Sequence, residues 1–290
     1  MLISGATFVR NAIKYKYPIV ESIKSVLPIC DEFIVNIGDS EDGTLELIKS
    51  IRDPKIRIIH SVWDEALREK GLILSQQGNI ALKDCQGKWI FYIQADEAVH
   101  EDDLPKIKAK IDDVKDNTRI ESLVFKYYHF YGSYYTYQTG RNWYQREVRV
   151  IRNSIGAELY GDAQGFRVNN RKPRAVSVDA YVYHYGWARM PEDMVAKTRE
   201  FDKLYHDDEW VSKMHKDKHI EQYFHDFDNL RYFEKTHPAV MNNTVNKDNL
   251  EFITKLWKQH MKTRGFNGIL RGLARKVPVG EHKNFVLVKK

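Results

Sequence analysis

In the first hundred positions, apolar residues fall into short runs separated by segments of helical period. Residues 2–8, 32–37, 56–60 and 89–93 are compact apolar or β-branched runs, and each predicts a strand. Between them, residues 11–26, 44–51 and 71–84 space their apolar positions for helices. In the first of these, Ile13, Tyr17, Val20, Ile23 and Leu27 recur near helical spacing. Repeated strand–helix–strand units predict an α/β fold with a mainly parallel central sheet and helices on both faces. Trp89-Ile90-Phe91-Tyr92-Ile93 shows no polar alternation, so it is expected in the middle of that sheet.

The pattern changes after Ser122. Aromatic and β-branched residues dominate residues 122–137, including Tyr127, Tyr128, Phe130, Tyr131, Tyr134 and Tyr135. These predict a smaller antiparallel region that continues through residues 147–152, with a further strand over 176–184. The tyrosines and Trp143 serve either as sheet packing or as stacking surfaces for sugar rings. After Pro191 the pattern turns helical to about residue 235, and residues 247–262 predict another helix. The expected division is an α/β domain over 1–189 and a helical extension over 190–290 that ends in a basic tail.

Composition narrows the class. Hydrophobic residues make up 42% and charged residues 30%, as in an ordinary globular protein. No apolar run approaches the roughly 20 residues that cross a bilayer. The first residues lack a basic start and a long apolar stretch, so they are read as a core strand rather than a leader. The two cysteines, Cys30 and Cys85, have no metal-ligand or redox spacing, which suggests packing roles and a cytoplasmic setting. The net charge of +6 is too small to imply nucleic acid. Its distribution is uneven, with Arg146, Arg149, Arg152, Arg167, Arg171 and Lys172 crowded between Arg141 and Arg174. That stretch suits a phosphate-bearing partner or a solvated basic face.

In an open parallel sheet, ligands bind beyond the carboxyl ends of the strands. Three such ends carry unusual residues: Ala6-Thr7-Phe8-Val9-Arg10-Asn11, Gly38-Asp39-Ser40-Glu41-Asp42-Gly43-Thr44 and Gln94-Ala95-Asp96-Glu97. The second alone is also a plain strand-to-helix turn. In the third, a buried strand ends in two adjacent carboxylates, which point to opposite sides of an extended chain and so have different tasks. Carboxylate oxygens suit hard cations such as Mg2+ or Mn2+, which bind diphosphate oxygens in turn.

In order and spacing, four pieces together resemble the family 2 glycosyltransferases of the GT-A fold, over roughly residues 2–189. They are Thr7-x-x-Arg10-Asn11, Gly38-Asp39-Ser40-x-Asp42-Gly43-Thr44, Gly78-Asn79-x-Ala81, and Gly87-Lys88-Trp89-Ile90 leading into Gln94-Ala95-Asp96-Glu97. The resemblance implies a GT-A-like catalytic domain that transfers a sugar, with inversion, from a nucleoside diphosphate sugar to a glycan or lipid-linked acceptor. It implies nucleotide contacts from Ala6, Thr7, Arg10, Asp39, Asn79, Gln94 and Ala95. It implies a divalent cation, Mn2+ or Mg2+, on Asp96 with His184, which follows the last strand. Glu97, Trp143 and Trp187 are expected on the sugar and acceptor side. The expected base is Asp162, with Glu158 as runner-up. Gln94 departs from the family, which has an acid there; an amide hydrogen-bonds hydroxyls but brings no charge to a cation.

Two rival classes share some of these features. A sugar-phosphate nucleotidyltransferase also uses an α/β nucleotide site and a cation, but it opens with a Gly-rich loop, and residues 2–11 hold only Gly5. A catalytically inactive glycan-binding protein of the same fold is the other. His215 and His219 have a zinc-like spacing, yet Lys213, Lys216 and Lys218 surround them. His237-Pro238 predicts a helix stop. The tail from Arg264, with Arg271, Arg275 and Lys276 among Phe266, Ile269, Leu270 and Leu273, suits either docking on the protein or peripheral contact with an anionic membrane surface.

Overall fold

The computed structural model describes residues 2–64, 66–67, 69–245, 248–263 and 283–288. The chain begins β1 (Ile3–Val9), α1 (Ile19–Val26), β2 (Glu32–Ile37), α2 (Thr44–Lys49), β3 (Ile56–His60), α3 (Leu72–Lys83) and β4 (Trp89–Tyr92). It continues with β5 (Glu97–Val99), α4 (Leu104–Val114), β6 (Ser122–Tyr131), β7 (Thr136–Gln138), β8 (Arg146–Arg152), β9 (Ala157–Tyr160), β10 (Gly165–Val168) and β11 (Arg174–Trp187). Last come α5 (Pro191–Asp202), α6 (Asp208–His215), β12 (Leu230–Tyr232), α7 (Asp248–Thr263) and β13 (Val286–Leu287).

The α/β fold and its parallel core are as expected. Strands β4, β1, β2 and β3 lie side by side in parallel. Antiparallel β8 joins β4 to β6, so the parallel and antiparallel regions form one mixed sheet of the described residues. β11 pairs parallel with β6 and antiparallel with β5, and β9 and β10 form a separate hairpin.

Two-residue periodicity sorts the core into two faces. Along β2, Phe33, Val35 and Ile37 join the cluster under α1, α2 and α4, whereas Ile34 joins the cluster under α3. β4 does the same, with Trp89 and Phe91 on one side and Ile90 and Tyr92 on the other. Alternate side chains of a strand face opposite ways, so strands apolar at every position fill both faces. Cys30 and Cys85 are buried and unpaired, and burial pushes the Cys85 thiol up to about 12. No helix among the described residues is long and apolar enough to cross a membrane.

Three expected elements differ. The helix expected over 11–26 starts only at Ile19, because Pro18 has no N–H and disfavours helical geometry at Tyr17. Residues 11–17 form turns instead, with Asn11 and Lys16 left-handed at φ 54 and 48. The helical stretch expected after Pro191 breaks at Asp202 and again at His215 and then gives way to β12. His215 therefore ends α6, and its ring bonds Asp202 (2.9 Å) and the Tyr223 hydroxyl (2.8 Å) rather than facing His219 across a helix. The extension also returns to the sheet, β12 beside β7 and β13 beside β11. The expected membrane or docking role of the basic tail falls on residues 264–282, which lie outside the described residues.

The tyrosine-rich strand is core. Tyr128, Phe130, Tyr183, Tyr185 and Phe233 form one buried cluster. His237 joins it, bonding the Tyr185 hydroxyl at 2.9 Å, and burial lowers the imidazole to about 4.

Candidate active site

Parallel pairing brings the carboxyl ends of β1, β2 and β4 to one edge. Loop geometry there is held by short polar side chains. The Asp42 carboxylate accepts from the Lys14 backbone N–H (2.7 Å) and from the Thr44 hydroxyl (2.5 Å). The Asn11 side-chain oxygen accepts from Glu41 N–H at 3.0 Å. These bonds tie the turns of residues 11–17 to the β2–α2 connection and leave a cavity of about 480 Å³ between that edge and α5.

Of the residues expected at the site, Arg10, Gln94, Ala95, Asp96, Asp162, His184 and Trp187 line this cavity. Ala6 and Thr7 are fully buried beneath it, within β1. Asp39 is not among the lining residues but pairs with Arg10, Nε to Oδ1 at 3.1 Å, while the Arg10 guanidinium lies 5.7 Å from the Trp63 ring. Asn79 is occupied elsewhere. Its amide gives and takes hydrogen bonds with the Leu159 backbone at 3.1 and 2.7 Å and so pins β9 to α3. Trp143 donates to Asp226 at 2.6 Å and packs on Trp187. Glu158 is exposed on β9, off the cavity.

Asp96 lies in the turn before β5 and lines the cavity, whereas Glu97, the first residue of β5, is turned into the protein. Glu97 is wholly buried and forms a two-pronged pair with Arg149, both contacts 2.8 Å. It also accepts from the Tyr127 hydroxyl (3.0 Å) and from Gln94 N–H (3.0 Å). It therefore cannot meet a sugar. Arg149 further donates to the carbonyl of Gln164, which fixes the loop that carries Asp162. The basic stretch is likewise structural where its partners are known. Arg152 stacks on Trp89 and donates to the carbonyl oxygens of Ile120, Val114, Lys115 and Asn117. Arg171 and Arg174 both pair with Glu121. None of the arginines from 141 to 174 is among the residues lining the cavity.

Asp96 faces the cavity. Antiparallel pairing of β5 with β11 sets Tyr185 N–H on the Asp96 carbonyl (2.8 Å) and so delivers His184 beside its carboxylate, Nε2 to Oδ1 at 3.7 Å. A tautomer chain orients that imidazole. His129 Nε2 donates to the Tyr144 carbonyl (2.6 Å), because a carbonyl can only accept, which leaves His129 Nδ1 to accept from His184 Nδ1 (2.9 Å). Burial lowers both rings, His129 well below its ordinary value, so both are neutral. The bare Nε2 of His184 then faces Asp96.

Lys197 was not expected here. Its ammonium lies 3.2 Å from Asp96 Oδ2 and 2.7 Å from the Gly186 carbonyl. Burial, then the neighbouring Arg189, lowers it to about 8, against the pull of Asp96. Burial works against the charge on Asp96, but Lys197, His184 and Arg189 outweigh it and hold the carboxyl below the usual range. The signal for Lys197 was present in the sequence. Pro191, Met194, Lys197, Phe201 and Leu204 recur at helical spacing, and a lysine inside such a stripe must meet a charged partner.

This donor set does not fit a divalent cation. Asp96 and His184 are two ligands, and among the described residues no third His, Cys, Asp or Glu joins them. A Cβ built on Gly186 would meet Asp96 Oδ2 at 2.7 Å, His184 Nε2 at 2.7 Å and Lys197 Nζ at 3.0 Å. The space between the two ligands is thus also next to an ammonium, which repels a cation and already neutralises the carboxylate.

Asp162 approaches from the opposite wall. Gly161 and Ala163 on either side are left-handed, at φ 60 and 62. Its Oδ1 accepts from Gln164 N–H at 3.2 Å, and the Tyr205 hydroxyl hydrogen-bonds its carboxylate. Glu41 and Glu200 are the other carboxylates lining the cavity. Glu200 bonds Lys203 at 2.8 Å and the Tyr15 hydroxyl.

A family model for glycosyl transferase family 2 matches residues 9–174, more than half of the 290. No curated protein matches the chain by sequence. Among solved structures, S. aureus TarS 1–349 is 18% identical, with 69% of this chain and 64% of that chain covered and a TM-score of 0.39. The chain therefore spans just under two thirds of that structure. TarS 1–349 in complex with UDP is 17% identical, with coverage of 88% and 79% and a TM-score of 0.40. Glucosyl-3-phosphoglycerate synthase from Mycobacterium tuberculosis, in complex with Mg2+ and UDP, is 20% identical, with coverage of 44% and 43% and a TM-score of 0.30.

Proposed function

The chain belongs to glycosyl transferase family 2, and from that premise we propose that it transfers a sugar from a nucleoside diphosphate sugar to a hydroxyl of a glycan or lipid-linked acceptor. The observation that carries this reading is the convergence of Arg10, Asp96, Asp162, His184 and Lys197 on one cavity at the carboxyl edge of the parallel strands. Such an edge is where α/β sheets hold nucleotides. The cations and aromatic rings of Arg10, Trp63 and Tyr15 suit the nucleotide, and the Asp96 corner suits the diphosphate.

The chemistry follows from charge. Cleavage of the sugar–phosphate bond puts negative charge on the departing diphosphate, which fixed positive charge stabilises. Asp162 takes the proton of the attacking hydroxyl from the opposite wall, and a single displacement inverts the anomeric carbon. The dependence on Mn2+ or Mg2+ expected from the resemblance has no place in this reading, because the donor set around Asp96 does not support it. Residues 1–189 form the catalytic domain in this proposal, and α5 of the extension covers its cavity. A cytoplasmic setting, with peripheral contact at the inner face of a membrane where the acceptor is lipid-linked, belongs to the same proposal.

A thermal-shift panel of UDP, GDP, CDP, ADP and dTDP tests the reading. At a hundredfold excess over Kd, a bound nucleotide adds about 2.7 kcal/mol, which for a chain of this size is a rise of several degrees. One or two members are expected to give that rise. No shift from any member would remove the donor site. Pyrophosphate release from a nucleoside triphosphate and a sugar phosphate would favour a nucleotidyltransferase instead.

A further inference from the structure

Two cations meet one carboxylate at the Asp96 corner. Lys197 and Arg189 are both more than nine-tenths buried, at 8% and 6% exposure. Arg189 donates to the Gly186 carbonyl at 3.0 Å and also to the carbonyl of Tyr15, which fixes its guanidinium. Its Nη2 is buried and has no hydrogen-bond partner among the described residues. Lys197 spends two of its three N–H donors on Asp96 and Gly186. Two buried cations against one carboxylate leave at least one surplus positive charge at the corner. Buried cations without a matching anion are costly, and a buried donor without a partner adds to that cost. An anion bound at Lys197 would relieve the surplus charge. Lys197 lines the cavity, so the surplus is presented where a ligand can reach it.

We propose that Lys197, backed by Arg189, supplies the positive charge for the departing diphosphate, so that this chain works without a divalent cation. The inference rests on the donor-site reading above. In the transfer, the bond from the anomeric carbon to the β-phosphate oxygen breaks, and its electron pair stays on that oxygen beside the Lys197 ammonium. The acceptor oxygen bonds the anomeric carbon, and its proton passes to Asp162 and then to solvent. The products are the glycosylated acceptor, the nucleoside diphosphate and a proton. Asp96 holds Lys197 in place and keeps it charged, a role that needs the carboxylate but no metal.

The test uses the full chain, stripped with EDTA, and the nucleoside diphosphate that gives the largest shift in the panel. Calorimetric titration is run in EDTA and again in Mn2+, with bound Mn2+ read by electron paramagnetic resonance. Wild type is expected to bind within about twofold in the two buffers and to retain no Mn2+. Lys197→Met is expected to weaken binding at least about 30-fold, since loss of one partner of a buried charge contact costs 2 kcal/mol or more. Lys197→Arg, which keeps the charge, is expected to stay within about tenfold of wild type. A tenfold or larger gain on adding Mn2+ to wild type would overturn the inference while leaving the donor site intact. Equal binding by wild type and Lys197→Met would overturn it as well. If Lys197→Met does not fold, the comparison of EDTA with Mn2+ on wild type decides alone. Absence of binding in both buffers would remove the donor site itself.

Discussion

Arg149→Met is expected to lower the unfolding free energy by about 3–5 kcal/mol. Arg149 and Glu97 are both at 0% side-chain exposure, joined by two 2.8 Å contacts. Removal of the guanidinium leaves a carboxylate deep in the protein with only the Tyr127 hydroxyl and Gln94 N–H as donors. Methionine keeps the apolar stem but not the guanidinium's volume against Tyr92 and Tyr127, so a packing loss adds to the uncompensated charge, which dominates. Urea denaturation reads the effect directly, and the midpoint temperature should fall by roughly 6–20 °C. The double variant Arg149→Met with Glu97→Gln removes both charges and is expected to recover more than half of the loss. A single-variant loss below about 1 kcal/mol would mean that the pair is solvated. The pair matters to function through position. Glu97 orients the strand end that carries Asp96, and Arg149 holds the Gln164 carbonyl of the Asp162 loop.

Asp162→Asn is expected to lower transfer by about 10²- to 10⁴-fold, the usual range for loss of a general base, with nucleoside diphosphate binding unchanged. Among carboxylates lining the cavity, Asp96 is held by Lys197 and Glu200 by Lys203 and Tyr15. Asp162 has no cation partner among the described residues, and its neighbours are a hydroxyl and a backbone N–H. Glu41, the fourth lining carboxylate, is exposed on the β2–α2 connection, which leaves Asp162 as the half-buried lining acid that can accept a proton without first losing an ion pair. Asparagine keeps the shape and the Gln164 contact but cannot take the proton. Normal turnover in this variant would remove Asp162 from the role and move attention to Glu200. Loss of nucleotide binding together with turnover would mark Asp162 as structural.

The parallel core was legible because its strands are short runs rich in apolar and β-branched residues and the segments between β2, β3 and β4 are helix-spaced. What sequence could not supply was pairing at long range. Nothing local says that β11 lies beside both β5 and β6, and that pairing alone brings His184 to Asp96. Apolar spacing runs through residues 11–26 without a break, yet α1 starts only after Pro18, since a proline without an N–H starts a helix more readily than it continues one. Asp96 could be read from a buried strand that ends in acid. Its neighbour Glu97 could not be told apart from it until Arg149, fifty-two positions away, was seen to claim it. Asn79 shows the limit of motif matching: the residue fits the pattern, yet its amide is spent on β9. Lys197 was the opposite case, a charged residue on an inward helical stripe that carried its own signal.

In the function proposed above, the cavity beneath α5 receives the nucleoside diphosphate of the donor. Thr198 lines it from α5, one residue beyond Lys197, with its hydroxyl on the Met194 carbonyl. Thr198→Trp puts a bulky ring into the roughly 480 Å³ space and leaves Asp96, Asp162 and Lys197 unsubstituted. Calorimetric titration of this variant with the nucleoside diphosphate selected by the panel is the direct measurement, with its unfolding midpoint as the control for folding. A folded variant that has lost binding is the predicted result; a folded variant that binds as tightly as wild type would place the donor elsewhere.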